Sequence, residues 1–186
     1  MIETRTVKRS MKDYKEVAEL LYSSFPEDEQ FPVWFLSIMA LRKCVDFLAY
    51  YDDDRLIATS FSVFSDEAVF GVYLAIQKEL RSQGYGNSIL KTLCEKDRDK
   101  AIYLNIEPVE ETAQNYEERV KRLKFYLKND FYETGYEVID NGLSYSIMTN
   151  KKPFDINSYI KTVALLSFGF VKPKIEKKVQ EYREEL

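Results

Sequence analysis

Hydrophobic and polar positions change period several times along this chain, and each change marks an element. The opening IETRTVKR alternates as a strand does. Ser10 and Asp13 resemble a capping box, and Val17, Leu20, Leu21 and Phe25 follow at helical spacing until Pro26. Pro32 suits a first helical position, and Trp34, Phe35, Ile38 and Leu41 form the apolar face this second helix is expected to bury. VDFLAYY, the turn DDDR and LIATSFSVF read as a hairpin. AVFGVYLAI is nearly all apolar and is expected at the centre of a sheet. ELRSQGYGNSIL then passes from strand to a helix with Ile89, Leu90, Leu93 and Cys94 on one face. AIYLNI is a short strand, and NYEERVKRLKFYLKNDF a helix with Tyr116, Val120, Leu123 and Leu127 as its stripe. YETGYEVID, an Asn-Gly turn and LSYSIMT form a last hairpin. The tail reads as an amphipathic helix carrying Ile156, Ile160, Val163 and Phe168, a Gly/Pro break, and a second, charged helix. This order predicts a mixed α/β sheet flanked by helices.

Composition narrows the chemistry. A chain of 186 residues, 45% hydrophobic, can bury a sizeable core as one domain. The net charge of −4 offers no footprint for nucleic acid and mildly favours cationic small molecules. The absence of histidine excludes Ser-His and Cys-His catalysis and any His-ligated metal. Cys44 and Cys94 are too few for a zinc site or a disulfide framework, so no metal and a reducing, cytoplasmic compartment are expected. The first ten residues carry no apolar signal core, and the longest apolar run is far short of a membrane span.

Two of the 6 glycines, Gly84 and Gly86, stand where the central strand hands over to a helix. Glycine there permits unusual backbone angles and close approach of a ligand, and successive amides at a helix N-terminus make an anion cradle suited to a pyrophosphate. The stretch is not a P-loop, since no Gly-Lys-Ser/Thr follows, and Ile89 stands where the dinucleotide fingerprint needs a third glycine.

LAIQKELRSQGYGNSILKTL resembles the acyl-CoA-binding segment of the GNAT (Gcn5-related N-acetyltransferase) family, whose central strand ends in Gln/Arg-x-x-Gly-x-Gly/Ala. RLKFYLKNDFYETGYEV resembles the family's helix-to-strand segment, with Phe125, Tyr126 and then Asp130-Phe131 at the positions of its Phe-Tyr and Gly-Phe. Residues 1–150 are covered by the resemblance. Residues 151–186 lie outside it, as a helical extension expected to pack on the core or on a second subunit of a homodimer.

The resemblance implies a mostly antiparallel, twisted sheet of about seven strands, splayed at the acyl-CoA site and flanked by about four helices. It implies direct acetyl transfer from acetyl-CoA to a primary amine of a small molecule or peptide. Backbone amides of Ser82, Gln83, Gly84, Tyr85 and Gly86 would hold the pyrophosphate, and Arg81 would pair with a phosphate. The backbone of Leu74 and Ile76 would bind the pantetheine as an added strand does. Tyr126 would protonate the departing thiolate, and Glu107 is named as the base that frees the amine. Glu110, Glu111 and Tyr73 are weaker candidates for that base. Two departures stand out: Arg119 sits where the family often has asparagine, and Asp130 in place of glycine predicts a different helix end. Glu27, Asp28, Glu29, Trp34, Phe35 and Tyr145 fall in segments that would build the acceptor pocket. Two alternatives stay open: an acyl-CoA-binding sensor or interaction module without turnover, and an unrelated nucleotide-binding α/β protein.

Overall fold

Eight strands join in a single sheet in the computed structural model, which describes residues 2–140, 142–170 and 172–178. In chain order the elements are β1 (Glu3–Thr6), α1 (Tyr14–Ser24), α2 (Val33–Met39), β2 (Val45–Asp52), β3 (Arg55–Phe64) and β4 (Ala68–Ile76). There follow α3 (Tyr85–Lys96), β5 (Ala101–Ile106), α4 (Tyr116–Lys128), β6 (Tyr132–Asp140), β7 (Leu143–Thr149), α5 (Ile156–Val163) and β8 (Lys174–Lys177). The strand order is β1-β2-β3-β4-β5-β7-β6-β8. Every neighbouring pair is antiparallel except β4 and β5, which run parallel with α3 as their crossover. The expected mixed, mostly antiparallel sheet flanked by helices is present.

β4 and β5 pair only from Ala68↔Ala101 to Gly71↔Leu104. Beyond that point β4 stays with β3 as far as Ile76, and β5 stays with β7 as far as Ile106. The sheet therefore opens between its two central strands. α1, α2 and α5 cover one face, on a core that includes Phe47, Phe61, Tyr73 and Tyr103. α3 and α4 cover the other, with Leu90, Leu123, Phe125 and Tyr126 over Ile102, Leu104 and Ile106.

The β2–β3 hairpin closes through Asp53 and Asp54, both at positive φ (46° and 64°), the backbone a two-residue turn needs to match strand twist. α1 buries Val17, Leu20 and Leu21 as its spacing predicts, but it begins at Tyr14. Asp13, instead of capping it, accepts a hydrogen bond from the Tyr51 hydroxyl at 2.5 Å. α2 differs from expectation. It buries Val33, Leu36 and Met39, while Trp34 is 54% and Leu41 84% exposed. Both faces of VWFLSIM are apolar, so periodicity could not choose between them. α4 is likewise turned: Leu127 is 47% exposed, and Phe125 and Tyr126 pack instead.

The tail corrects another expectation. Lys174–Lys177, placed in a charged helix, is a strand in antiparallel register with β6, Ile175 opposite Val138. Pro173 sets the preceding backbone, and pairing satisfies the otherwise open edge of β6. The rest of that predicted helix, 179–186, lies outside the described residues. α5 is capped by Asp155, whose carboxylate accepts from the amides of Asn157 and Ser158. It seats Tyr159, fully buried, among the rings of Phe70, Tyr103 and Phe154. Truncating a buried aromatic typically costs about 3–5 kcal/mol, which at this size lowers Tm by at least about 6 °C. A chain ending at Asn150 should lose that much or more in a thermal melt. An unchanged Tm would show that α5 adds nothing to the core.

Candidate active site

After β4 the chain makes a 3-10 turn over Lys78–Leu80, an open loop, and then α3. Ser82 has φ +64° and Gly84 φ +91°. The backbone amides of residues 82–87 donate to no acceptor among the described residues, and no side chain caps α3. An unmet row of donors at the head of a twelve-residue helix is a site shaped for an anion. The two glycines serve different ends. Around Gly84 there is open space, and its role is the positive φ. At Gly86 a Cβ would lie 3.0 Å from Ile76 Cδ1 and 3.1 Å from Phe125 Cε2. Gly86 thus lets α3 pack closely on α4 and β4.

The side chains of the loop face elsewhere. Gln83 donates to the carbonyl of Glu79 at 2.7 Å, and the Tyr85 hydroxyl donates to Asp52 at 2.8 Å. What they offer the cleft is backbone. Arg81 donates from Nε to the Ile76 carbonyl at 3.1 Å and lies 3.4 Å from Ser24 Oγ, with its side chain exposed. The Gln77 amide donates to Ile57 of β3 at 2.9 Å. By the period of two, the N–H and C=O of Leu74 and Ile76 face the opposite side, toward the opening beside β5.

Tyr126 stands on α4 between the rings of Phe125 and Phe131, at centroid distances of 5.0 and 5.7 Å. It lines the opening, and its hydroxyl has no hydrogen-bond partner among the described residues. Burial raises its pKa, with Arg122 opposing, so the phenol keeps its proton at neutral pH. Asp130, four residues further on and just past the end of α4, has φ +62°. Aspartate accepts the left-handed backbone that glycine takes more cheaply, so the substitution alters the residue and not the geometry expected of a glycine there.

Glu107 sits on the same side, half-buried at the end of β5, and is fully engaged. Its carboxylate meets Arg119 at 3.0 Å and Arg122 at 2.5 Å and accepts from Asn115 at 3.1 Å. Burial alone would raise its pKa; the hydrogen bonds from Asn115 and Arg122 and the two guanidinium charges outweigh it and hold the carboxyl below the usual range. A carboxylate held in this way is a poor base, and its evident work is to fix the start of α4. Arg119 and Arg122 stand at i and i+3 on one helix face, a spacing the sequence reading did not use, and their partner lies on another element. Glu110 and Glu111 are exposed and do not line the cleft. The Tyr73 hydroxyl is occupied, donating to the Glu29 carbonyl at 2.5 Å and accepting from the Phe31 amide at 3.0 Å.

One cleft of about 1820 Å³ joins these parts. It runs from Ser82 and Gly84, past Leu74 and Tyr126, to Glu29 and Tyr145 on the opposite face. Asp28 and Phe35 line that end too, whereas Glu27 and Trp34 do not. Tyr159 of α5 also lines it and donates to Asn105 Oδ1 at 3.0 Å, a contribution from the tail that the sequence reading missed by following its isoleucines. Neither cysteine lines the cleft, and burial raises the pKa of Cys94 further. Among the described residues no group of His, Cys, Asp or Glu is arranged to hold a metal, and no helix is long and apolar enough to cross a membrane.

No family model matches the sequence. A Bacillus subtilis (strain 168) protein named "Putative acetyltransferase YjbC" is 38% identical over 92 residues, half of this chain and 45% of that protein. A Bacteroides thetaiotaomicron structure named "Putative acetyltransferase from GNAT family" is 26% identical and superposes with a TM-score of 0.72 over 91% of this chain and 98% of that one. An aminoglycoside 6'-N-acetyltransferase solved with coenzyme A gives a TM-score of 0.60 at 16% identity, over 82% of this chain and 99% of that one. The PaiA N-acetyltransferase of Thermoplasma acidophilum, also solved with coenzyme A, gives 0.58 at 20% identity, over 81% and 99%. At those last two identities the likeness is one of fold.

Proposed function

We propose that this chain, which belongs by fold to the GNAT acetyltransferases, moves an acetyl group from acetyl-CoA to a primary amine in one step within a ternary complex. One observation carries the proposal: the unmet amides of residues 82–87 open onto the gap between β4 and β5, where Tyr126 presents a free hydroxyl. The amides take the pyrophosphate. Arg81 exchanges the Ile76 carbonyl for a phosphate oxygen, which frees the strand end for the pantetheine beside Leu74. The thioester then lies in the gap, and the amine reaches it from the face of Glu29 and Tyr145.

The amine attacks as the neutral base, and its proton leaves to water, since Glu107 is committed to arginines. The N–H of Ile76, turned toward the gap, is placed to stabilise the oxyanion as charge develops. The thiolate departs against the Tyr126 hydroxyl. A phenol of raised pKa acts there as a hydrogen-bond donor more than as a full acid, and water completes the protonation.

Thiol release from acetyl-CoA, followed with polyamines, aminoglycosides, amino acids and peptide N-termini, tests this reading. At least one acceptor should release thiol and gain an acetyl group. If the chain binds coenzyme A yet no acceptor releases thiol above the rate of hydrolysis, transfer is ruled out and the non-catalytic module is left.

The cysteines give a second check. With both outside the cleft and no histidine to activate them, an acetyl-cysteine route has no support. The double variant Cys44→Ser, Cys94→Ser should keep most activity and show ternary-complex kinetics. A folded but inactive double variant would restore the cysteine route.

A further inference from the structure

The acceptor end of the cleft contains a carboxylate whose position is fixed from two strands. Tyr145, on β7, donates to Glu29 Oε1 at 2.7 Å. Tyr73, on β4, donates to the carbonyl of the same residue at 2.5 Å and accepts from Phe31 N–H. Gln30 secures the turn from the other side, donating to the carbonyls of Phe25 at 2.7 Å and Tyr22 at 2.9 Å. Glu29 is half-buried, and its Oε2 has no partner among the described residues. The other carboxylates along the cleft do not combine these properties. Asp46 is paired with Lys96, Asp97 with Lys100, and Glu107 with Arg119 and Arg122. Asp28 and Asp140, at the same end as Glu29, are exposed, and so is Glu118 on α4.

Resting on the amine-acceptor reading above, we propose that Glu29 is the residue that receives the acceptor's ammonium group, through Oε2, and so selects cationic amines over neutral molecules of the same shape. One tyrosine side chain separates Glu29 from β4, whose free edge is the path of the thioester. Another separates it from β7. Such a frame fixes where a cation must sit before it loses its proton, which is worth more than charge alone. Half-burial strengthens a carboxylate–ammonium contact relative to one in open water. Burial, the Glu29 contact and the charges of Glu29, Asp140 and Asp28 also push the Tyr145 phenol up, so it remains a donor to Glu29 throughout the neutral range.

The test uses the full chain with coenzyme A present, and ligand-observed NMR titration with matched pairs: 1-aminobutane against 1-butanol, 1,4-diaminobutane against 1,4-butanediol, glucosamine against glucose. The unaltered chain should prefer the amine by at least tenfold in at least one pair. Glu29→Gln keeps an acceptor for Tyr145 and removes the charge; it should abolish the preference and leave coenzyme A affinity unchanged. Glu27→Gln, in the same turn but outside the cleft, should preserve it. No preference in the unaltered chain, or a preference that survives Glu29→Gln, overturns the assignment. Acetyl transfer is measured separately. A Glu29-dependent preference without thiol release refutes transfer and leaves the ammonium site standing, whereas transfer to amines with no dependence on Glu29 does the reverse.

Discussion

Tyr126→Phe will lower turnover by at least about tenfold and leave acetyl-CoA binding near its original value. The substitution keeps the ring between Phe125 and Phe131 and removes only a hydroxyl that has no partner among the described residues. Stability should therefore hardly change, which separates this variant from a packing defect. Full proton donation in a transition state is typically worth about 10²–10⁴-fold; a hydroxyl that donates a hydrogen bond to the departing thiolate, with water completing the protonation, sets the expected loss near the low end of that range or just below it. The loss should shrink with an acyl donor whose thiol is more acidic, because that thiolate needs less help. If the tyrosine positioned the amine instead, its Michaelis constant would rise and the leaving-group dependence would vanish. Turnover equal to the unaltered chain, measured where chemistry limits the rate, removes Tyr126 from the mechanism.

Gly84→Val will weaken coenzyme A binding at least tenfold, about 1.4 kcal/mol. Nothing lies within 4 Å of a Cβ at this position, so the side chain meets no protein atom. The penalty comes from the backbone: φ +91° is a conformation that a β-branched residue resists by about 1–2 kcal/mol or more. The loop relieves that strain by turning the amides of residues 82–86 out of line, and valine also protrudes where a pyrophosphate must approach. Gly84→Ala should lose less, since it lacks the branch. Gly86→Ala should act differently: its Cβ presses on Ile76 and Phe125, so it should lower Tm as well as affinity. Calorimetry showing unchanged coenzyme A affinity in a folded Gly84→Val chain would refute the cradle.

What the sequence reveals depends on the range of the interaction involved. Gly84 is legible because its role is local, a positive φ at the head of a helix. Gly86 carries the same letter for a different reason, contact with Phe125 from another helix, and no local pattern distinguishes the two. The central strand is legible from its apolar run, and the opening beside it follows from pairing that stops at Gly71↔Leu104, which no single segment encodes. Helix faces fail where both sides are apolar, as in α2, or where aromatics on a mostly polar helix carry the packing, as Phe125 and Tyr126 do in α4. Lys174–Lys177 is too short for period two to show, and its strand state is decided by the edge of β6. Glu107 illustrates the same limit in chemistry. Its place after a short strand suggests a cleft-facing base, and only the fold brings two arginines to it.

A crystal structure of the chain with coenzyme A tests the assignment of the cleft most directly. The pyrophosphate should lie within hydrogen-bond distance of the amides of residues 82–86, the pantetheine along Leu74 and Ile76, and the sulfur against the Tyr126 hydroxyl. A coenzyme seated away from the gap between β4 and β5, or a sulfur turned away from Tyr126, would contradict it.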